Sequence, residues 1–166
     1  QQKIHIDSFT YQLNQTIRML ERKELLPALC FVLSRKGCEK YAAKTEATLL
    51  DSSDSAAAVN IFDFHLRHHK QQLETLPQYH AIRTLIQRGI AFHHSGVLPL
   101  LKEIIEILGS NLSQRRHQNS FFISDTISYF FKKIVHSFYW WTNLYLWIEQ
   151  SSGSYNLFND FVFWLS

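Results

Sequence analysis

A short apolar run from Gly89 to Phe92 breaks off into His93-His94-Ser95-Gly96, and Pro99 follows two residues later than Val97. Few folds accommodate that order. The run has the length and bounding residues of a buried strand, so the polar quartet has to turn at the strand's end. Pro99 suits the first turn of a helix, where its missing N–H costs nothing, and Leu100, Leu101, Ile104, Ile105 and Leu108 recur at helical spacing. The segment reads strand, loop, helix.

A similar unit precedes it. Ala28 to Leu33 is an apolar run without alternation, the pattern of a strand buried on both faces in a parallel sheet covered by helices. Ser34 closes the run, and Arg35 to Ala42 begins a helix. Upstream, Phe9, Leu13, Ile17 and Leu20 mark an amphipathic helix over residues 8–22, with Asp7 or Ser8 as N-cap. Between the two units, residues 45–58 read as a loop leading into a polar helix. A weakly basic helical stretch runs from Val59 to Leu76, and Tyr79, Ile82, Leu85 and Ile86 give the apolar stripe of a further helix after Pro77.

Three of these segments carry a family resemblance. GIAFHHSGVLPLLKEIIEIL, residues 89–108, resembles the HHxG segment in the second RecA-like domain of the superkiller-type (Ski2-like) DExH-box RNA helicases of superfamily 2. LLPALCFVLSRKGCEKYA resembles that family's motif IV strand and following helix, and LPQYHAIRTLIQR the helix leading back into the sheet. The likeness covers roughly residues 8 to 108. It implies an α/β fold, a partial RecA-like parallel sheet with flanking helices, in which the two strands lie side by side. A sheet of two strands would leave apolar edges uncovered, so marginal stability is expected unless the tail covers them.

Ser34, Arg35 and Lys36 are the first candidates for chemistry. Free N–H groups at a helix start, beside two cations, attract a phosphate, although the same residues could merely solvate the helix end. The resemblance implies nucleic-acid backbone contacts here. His93, His94, Ser95 and Gly96 could suggest a general base, but no nucleophile with an oriented acid accompanies them. By resemblance they form a structural, RNA-facing turn, with Gly96 permitting a conformation or approach that a side chain would obstruct. His65 and His69 have the four-residue spacing of ligands on one helical face, but no further ligand pair stands at a diagnostic distance, so no metal site is expected. Cys30 and Cys38 lack CxxC spacing and read as buried reduced thiols.

Composition changes after Leu108. Residues 1–108 carry 13 Lys/Arg and 11 Asp/Glu, against 4 and 3 in residues 109–166, and 16 of the 24 aromatic residues lie between Phe121 and Trp164. We therefore expect a partial helicase C-terminal domain over 1–108 and a divergent aromatic-rich tail over 109–166, to which the sequence assigns no fold. The family's motif V and its glycine- and arginine-rich motif VI are not recognisable there. Ile134 to Ile148 is apolar, but at about fifteen residues it falls short of the roughly 20 a bilayer-spanning helix needs. Phe138, Tyr139, Trp140, Trp141, Tyr145 and Trp147 could instead form a membrane-interfacial or protein-binding surface, whereas base stacking there has only Lys132 and Lys133 to support it.

The formal net charge of +3 decides nothing about nucleic acid, since phosphate binding depends on where cations cluster. No GxxxxGK[ST] loop or DExH box occurs in the 166 residues. ATP and magnesium, which the resemblance implies for the full-length family, are thus not expected to be held by these residues. The expected partners are RNA, a first RecA-like domain and an RNA-decay complex, not a membrane. No signal-peptide pattern is visible at the N-terminus, and an intracellular place, nucleus or cytoplasm, is expected.

Overall fold

The computed structural model of the chain describes residues 8–114, 119–125, 145–148 and 161–164. Helix α1, Ser8–Arg22, buries Phe9, Leu13, Ile17 and Leu20 along one stripe, as their spacing predicts. It ends where Glu24 takes a left-handed φ of 55° and Leu25 N–H reaches back to the Leu20 carbonyl at 2.9 Å. Strand β1, Ala28–Phe31, follows. Helix α2, Arg35–Lys44, then packs beside α1, with the Phe9 and Tyr41 rings 4.2 Å apart. Asn14 clamps the end of α2: its side chain donates to the Lys44 carbonyl at 3.2 Å and accepts from Glu46 N at 2.9 Å.

Helix α3, Ser52–Leu66, starts earlier than its apolar period suggests, because Asp51 caps it by accepting from Asp54 N at 2.8 Å. The helix tightens into a 3-10 turn at Arg67–His69, followed by α4, Lys70–Leu73, and α5, Pro77–Ile86. His65 therefore lies on α3 and His69 in the turn, not on one continuous helical face. Gly89 turns the chain with φ of 76°, and a Cβ there would come within 2.9 Å of Leu50 and 3.0 Å of the Asn119 carbonyl. Strand β2, Ile90–His93, and helix α6, Pro99–Gln114, complete the second unit.

Strand β3, Phe121–Ser124, corrects one expectation. The strands β1 and β2 are not neighbours, because β3 lies between them and pairs in parallel with both, Phe121 opposite Ala28 on one side and Ile90 on the other. Phe121, Phe122 and Ile123 are all buried, and at roughly 2 kcal/mol for each large side chain removed from water this central place outweighs the local change in composition. Every residue of the three strands is buried, which explains why β1 and β2 do not alternate in polarity. The two-stranded sheet with bare edges is thereby replaced by a continuous parallel sheet. Beyond β1 stand β4, Tyr145–Ile148, parallel to it, and β5, Phe161–Trp164, antiparallel to β4, giving the order β2-β3-β1-β4-β5. Among the described residues no helix is long and apolar enough to cross a membrane.

Candidate nucleic-acid interface

Parallel strands all point their carboxyl ends toward one rim, and ligands of open α/β sheets bind outside such a rim. Here β1 delivers Ser34, β2 delivers His94 and β3 delivers Asp125 to it. Ser34 is the N-cap of α2: its Oγ accepts from Gly37 N at 3.2 Å, and its carbonyl from Cys38 N at 2.9 Å. The helix can start so close to the strand because residue 37 is glycine. A Cβ there would stand 2.8 Å from Val32 Cγ1. The first turn therefore leaves Ser34, Arg35 and Lys36 exposed.

The corner after β2 is built differently. The His94 side chain is only 4% exposed, and both of its ring nitrogens are engaged. Nδ1 accepts from Gly96 N at 3.1 Å, which fixes the proton on Nε2, and Nε2 donates to Glu39 Oε1 at 3.0 Å. The ring also stacks on Phe92, centroids 5.5 Å apart and planes 11° from parallel. Gly96 is needed for close approach: a Cβ would lie 3.2 Å from two atoms of the His94 ring. His93 is buried too, with Nε2 3.5 Å from Glu106 Oε1. Burial lowers the His93 pKa below the usual imidazole range, and the attraction of Glu106 only partly opposes it.

Two acidic residues knit the corners together. Glu39 on α2 holds His94, and Asp125 after β3 stands 4.0 Å from Arg35 Nε while its N–H reaches the His93 carbonyl at 3.3 Å. Of the seven residues singled out in the sequence, all therefore meet at one rim. Ser34, Arg35, Lys36, Ser95 and Gly96 are exposed there, and the side chains of His93 and His94 lie underneath. Sequence reasoning missed Glu39 and Asp125. Glu39 stands one helical turn after Arg35, but its partner is 55 residues away and leaves no local trace. Asp125 follows the short apolar run Phe121–Ile123 with only Ser124 between, and that could have placed it at a strand end.

The two cysteines are buried. Desolvation pushes the Cys38 thiol up to about 12, with Asp125 adding to the effect, and raises Cys30 as well, so neither carries thiolate near neutrality. Among the described residues no group of three or more His, Cys, Asp or Glu is arranged to hold a metal ion. Residues 138–141 of the aromatic stretch lie outside the described residues, and Tyr145 and Trp147 belong to β4.

No protein-family model matches the chain. It is similar to several curated proteins. Over 97 residues it is 38% identical to the antiviral helicase SKI2 of Saccharomyces cerevisiae, which covers 58% of this chain and 8% of that protein. Over 93 residues it is 38% identical to the DExH-box ATP-dependent RNA helicase DExH9 of Arabidopsis thaliana, 55% of this chain and 9% of the relative. Over 95 residues it is 33% identical to the exosome RNA helicase MTR4 of Homo sapiens, 57% of this chain and 9% of the relative. The chain thus spans less than a tenth of the length of each of these relatives.

Proposed function

From the chain's membership of the Ski2-like DExH-box RNA helicases of superfamily 2, we propose that it supplies part of the RNA-gripping surface of a second RecA-like domain. The observation that supports this most is the single rim on which two polar corners meet, tied through Glu39 and His94, with Arg35 and Lys36 exposed above it. The α2 start offers backbone N–H groups and two cations to a phosphate, and Ser95 and Gly96 bring further exposed backbone to the same edge. His93 and His94 act beneath, as positioning residues that hold the loop. Grip of this kind reads the nucleic-acid backbone and carries little sequence preference.

ATP-driven unwinding needs phosphate-binding and magnesium-binding groups. The 166 residues contain neither the GxxxxGK[ST] loop nor the DExH box that supply those groups. The proposed role of this chain is accordingly RNA binding without ATP hydrolysis of its own. A first RecA-like domain and an RNA-decay assembly are the partners that go with the reading, and an intracellular place, in nucleus or cytoplasm, goes with it too.

The test is a salt titration of single-stranded RNA binding. Arg35→Ala with Lys36→Ala should weaken binding across all sequences by about tenfold at low salt and reduce the slope of log K against log salt by roughly 1 to 2. Unchanged affinity and slope in the double variant would remove the role given to this corner.

A further inference from the structure

Helix α5 packs against both α2 and α3, and the finish of α3 carries a surface that the rim does not use. Phe64 is 61% exposed, a large apolar ring open to solvent. It is not bare of organisation. The Arg67 guanidinium lies over the ring at 4.0 Å from its centroid, and Arg67 Nη1 is fixed by donating to the Phe64 carbonyl at 3.0 Å. The His65 imidazole meets the same ring edge-on at 5.7 Å. His68, His69 and Lys70 continue the exposed run. The nearby acids are already answered: Asp63 makes two hydrogen bonds to Arg83, at 2.9 and 2.7 Å, and Glu74 pairs with Lys70 at 3.3 Å.

This patch stands at the same end of the molecule as the rim. Helix α5 descends from Pro77 to the start of β2, so its first turn is at the strands' carboxyl end, where Gln78 Oε1 accepts from Leu98 N at 3.2 Å. Helix α3 runs the other way. Leu49, just before it, donates to the Arg88 carbonyl below β2 at 2.9 Å, and Phe62, near its finish, packs on Tyr79 at 5.3 Å.

We infer that Phe64, His65 and Arg67, with the basic run to Lys70, form a stacking platform for a base of single-stranded RNA that has crossed the rim. The inference rests on the RNA-gripping reading and extends it to a second contact. A ring with a guanidinium over it, beside imidazoles, matches a base and its phosphate together. An acidic protein segment would use the cations but has less need of an open aromatic face.

The full chain is titrated with an oligouridylate of about 12 nucleotides and with an abasic strand of the same length. Phe64→Ala is expected to weaken oligouridylate binding roughly tenfold, to change abasic binding by less than about twofold, and to leave the thermal melt in place because the ring is exposed. Phe64→Tyr should restore the lost affinity. If Phe64→Ala binds oligouridylate like the parent while the Arg35/Lys36 double variant does not, the platform is overturned and the rim reading stands. Loss in both variants supports the platform, whereas loss in Phe64→Ala with none in the double variant overturns the rim and with it a platform for a strand that crosses it. A parent chain that binds neither strand overturns both. A glutamate-rich peptide whose binding falls in Phe64→Ala, with RNA binding unchanged, overturns the platform in favour of an acidic protein.

Discussion

After β1 the chain leaves the sheet through exposed side chains, Ser34, Arg35 and Lys36, standing on a glycine contact and one cap. After β2 it leaves through two imidazoles that are almost wholly buried, one of them hydrogen-bonded through both nitrogens. The two corners share a rim but divide the work. The first presents charge and is weakly tied to the fold, while the second presents backbone and is strongly tied to it. Substitutions of the exposed cations Arg35 and Lys36 at the first should therefore move binding alone, and substitutions at the second should move stability and binding together.

The sharpest way to break that division is His94→Ala. The change removes the hydrogen bonds to Glu39 and Gly96 and the stack on Phe92, and it opens a hole where a buried ring stood. A loss of about 2–4 kcal/mol in urea unfolding is expected, together with weaker RNA binding. Stability unchanged within error would mean that the second corner is held by something other than His94.

Gly37→Ala probes how the first corner is built. Its Cβ would press on Val32 Cγ1 at 2.8 Å, and Val32 is itself only 1% exposed, so the helix start has to shift. The expected cost is about 1–3 kcal/mol, again by urea unfolding. A neutral or stabilising result, from the better helix propensity of alanine, would show that the α2 start slides freely over β1.

Much of this architecture could be read from the chain, and what escaped did so for physical reasons. The runs at Ala28 and Gly89 announced strands because neither face of either strand sees water, and Ser34 announced a helix start because its hydroxyl is the right acceptor. The place of β3 was hidden, since four residues at Phe121–Ser124 carry too little pattern to reveal which strands they join. Helix α6 runs on to Gln114 through Gly109, a residue that costs about 1 kcal/mol in a helix and is overridden by the packing of Leu101, Ile104, Ile105 and Leu108. Two histidines in a turn look like surface chemistry. Only Glu39 and Glu106, distant in sequence, reveal that His94 and His93 are covered.

The smallest expected effect concerns His93 and tests whether the second corner depends on a neutral imidazole. Burial is the main cause of its lowered pKa, with Lys102 acting in the same direction, while Glu106 and Asp125 pull the other way. The unfolded chain binds a proton near pH ~6.5 and the folded chain binds it only at lower pH. Below about 6.5 the unfolded state therefore holds more protons, and stability falls as pH falls toward the folded value; above it this contribution is flat. The limb can be no steeper than about 1.4 kcal/mol per pH unit, and the opposing carboxylates should keep it well under that. Asp63, whose pKa is lowered chiefly by its hydrogen bond to Arg83, loses its contribution only below about pH 4, so the two windows do not overlap. Urea unfolding of the parent and of His93→Gln, followed between about pH 7.5 and 5, should show a downward limb in the parent that is shallower in the variant. Parallel curves would mean that His93 accepts its proton as easily in the fold as out of it, and the second corner would then resemble the first in tolerating charge.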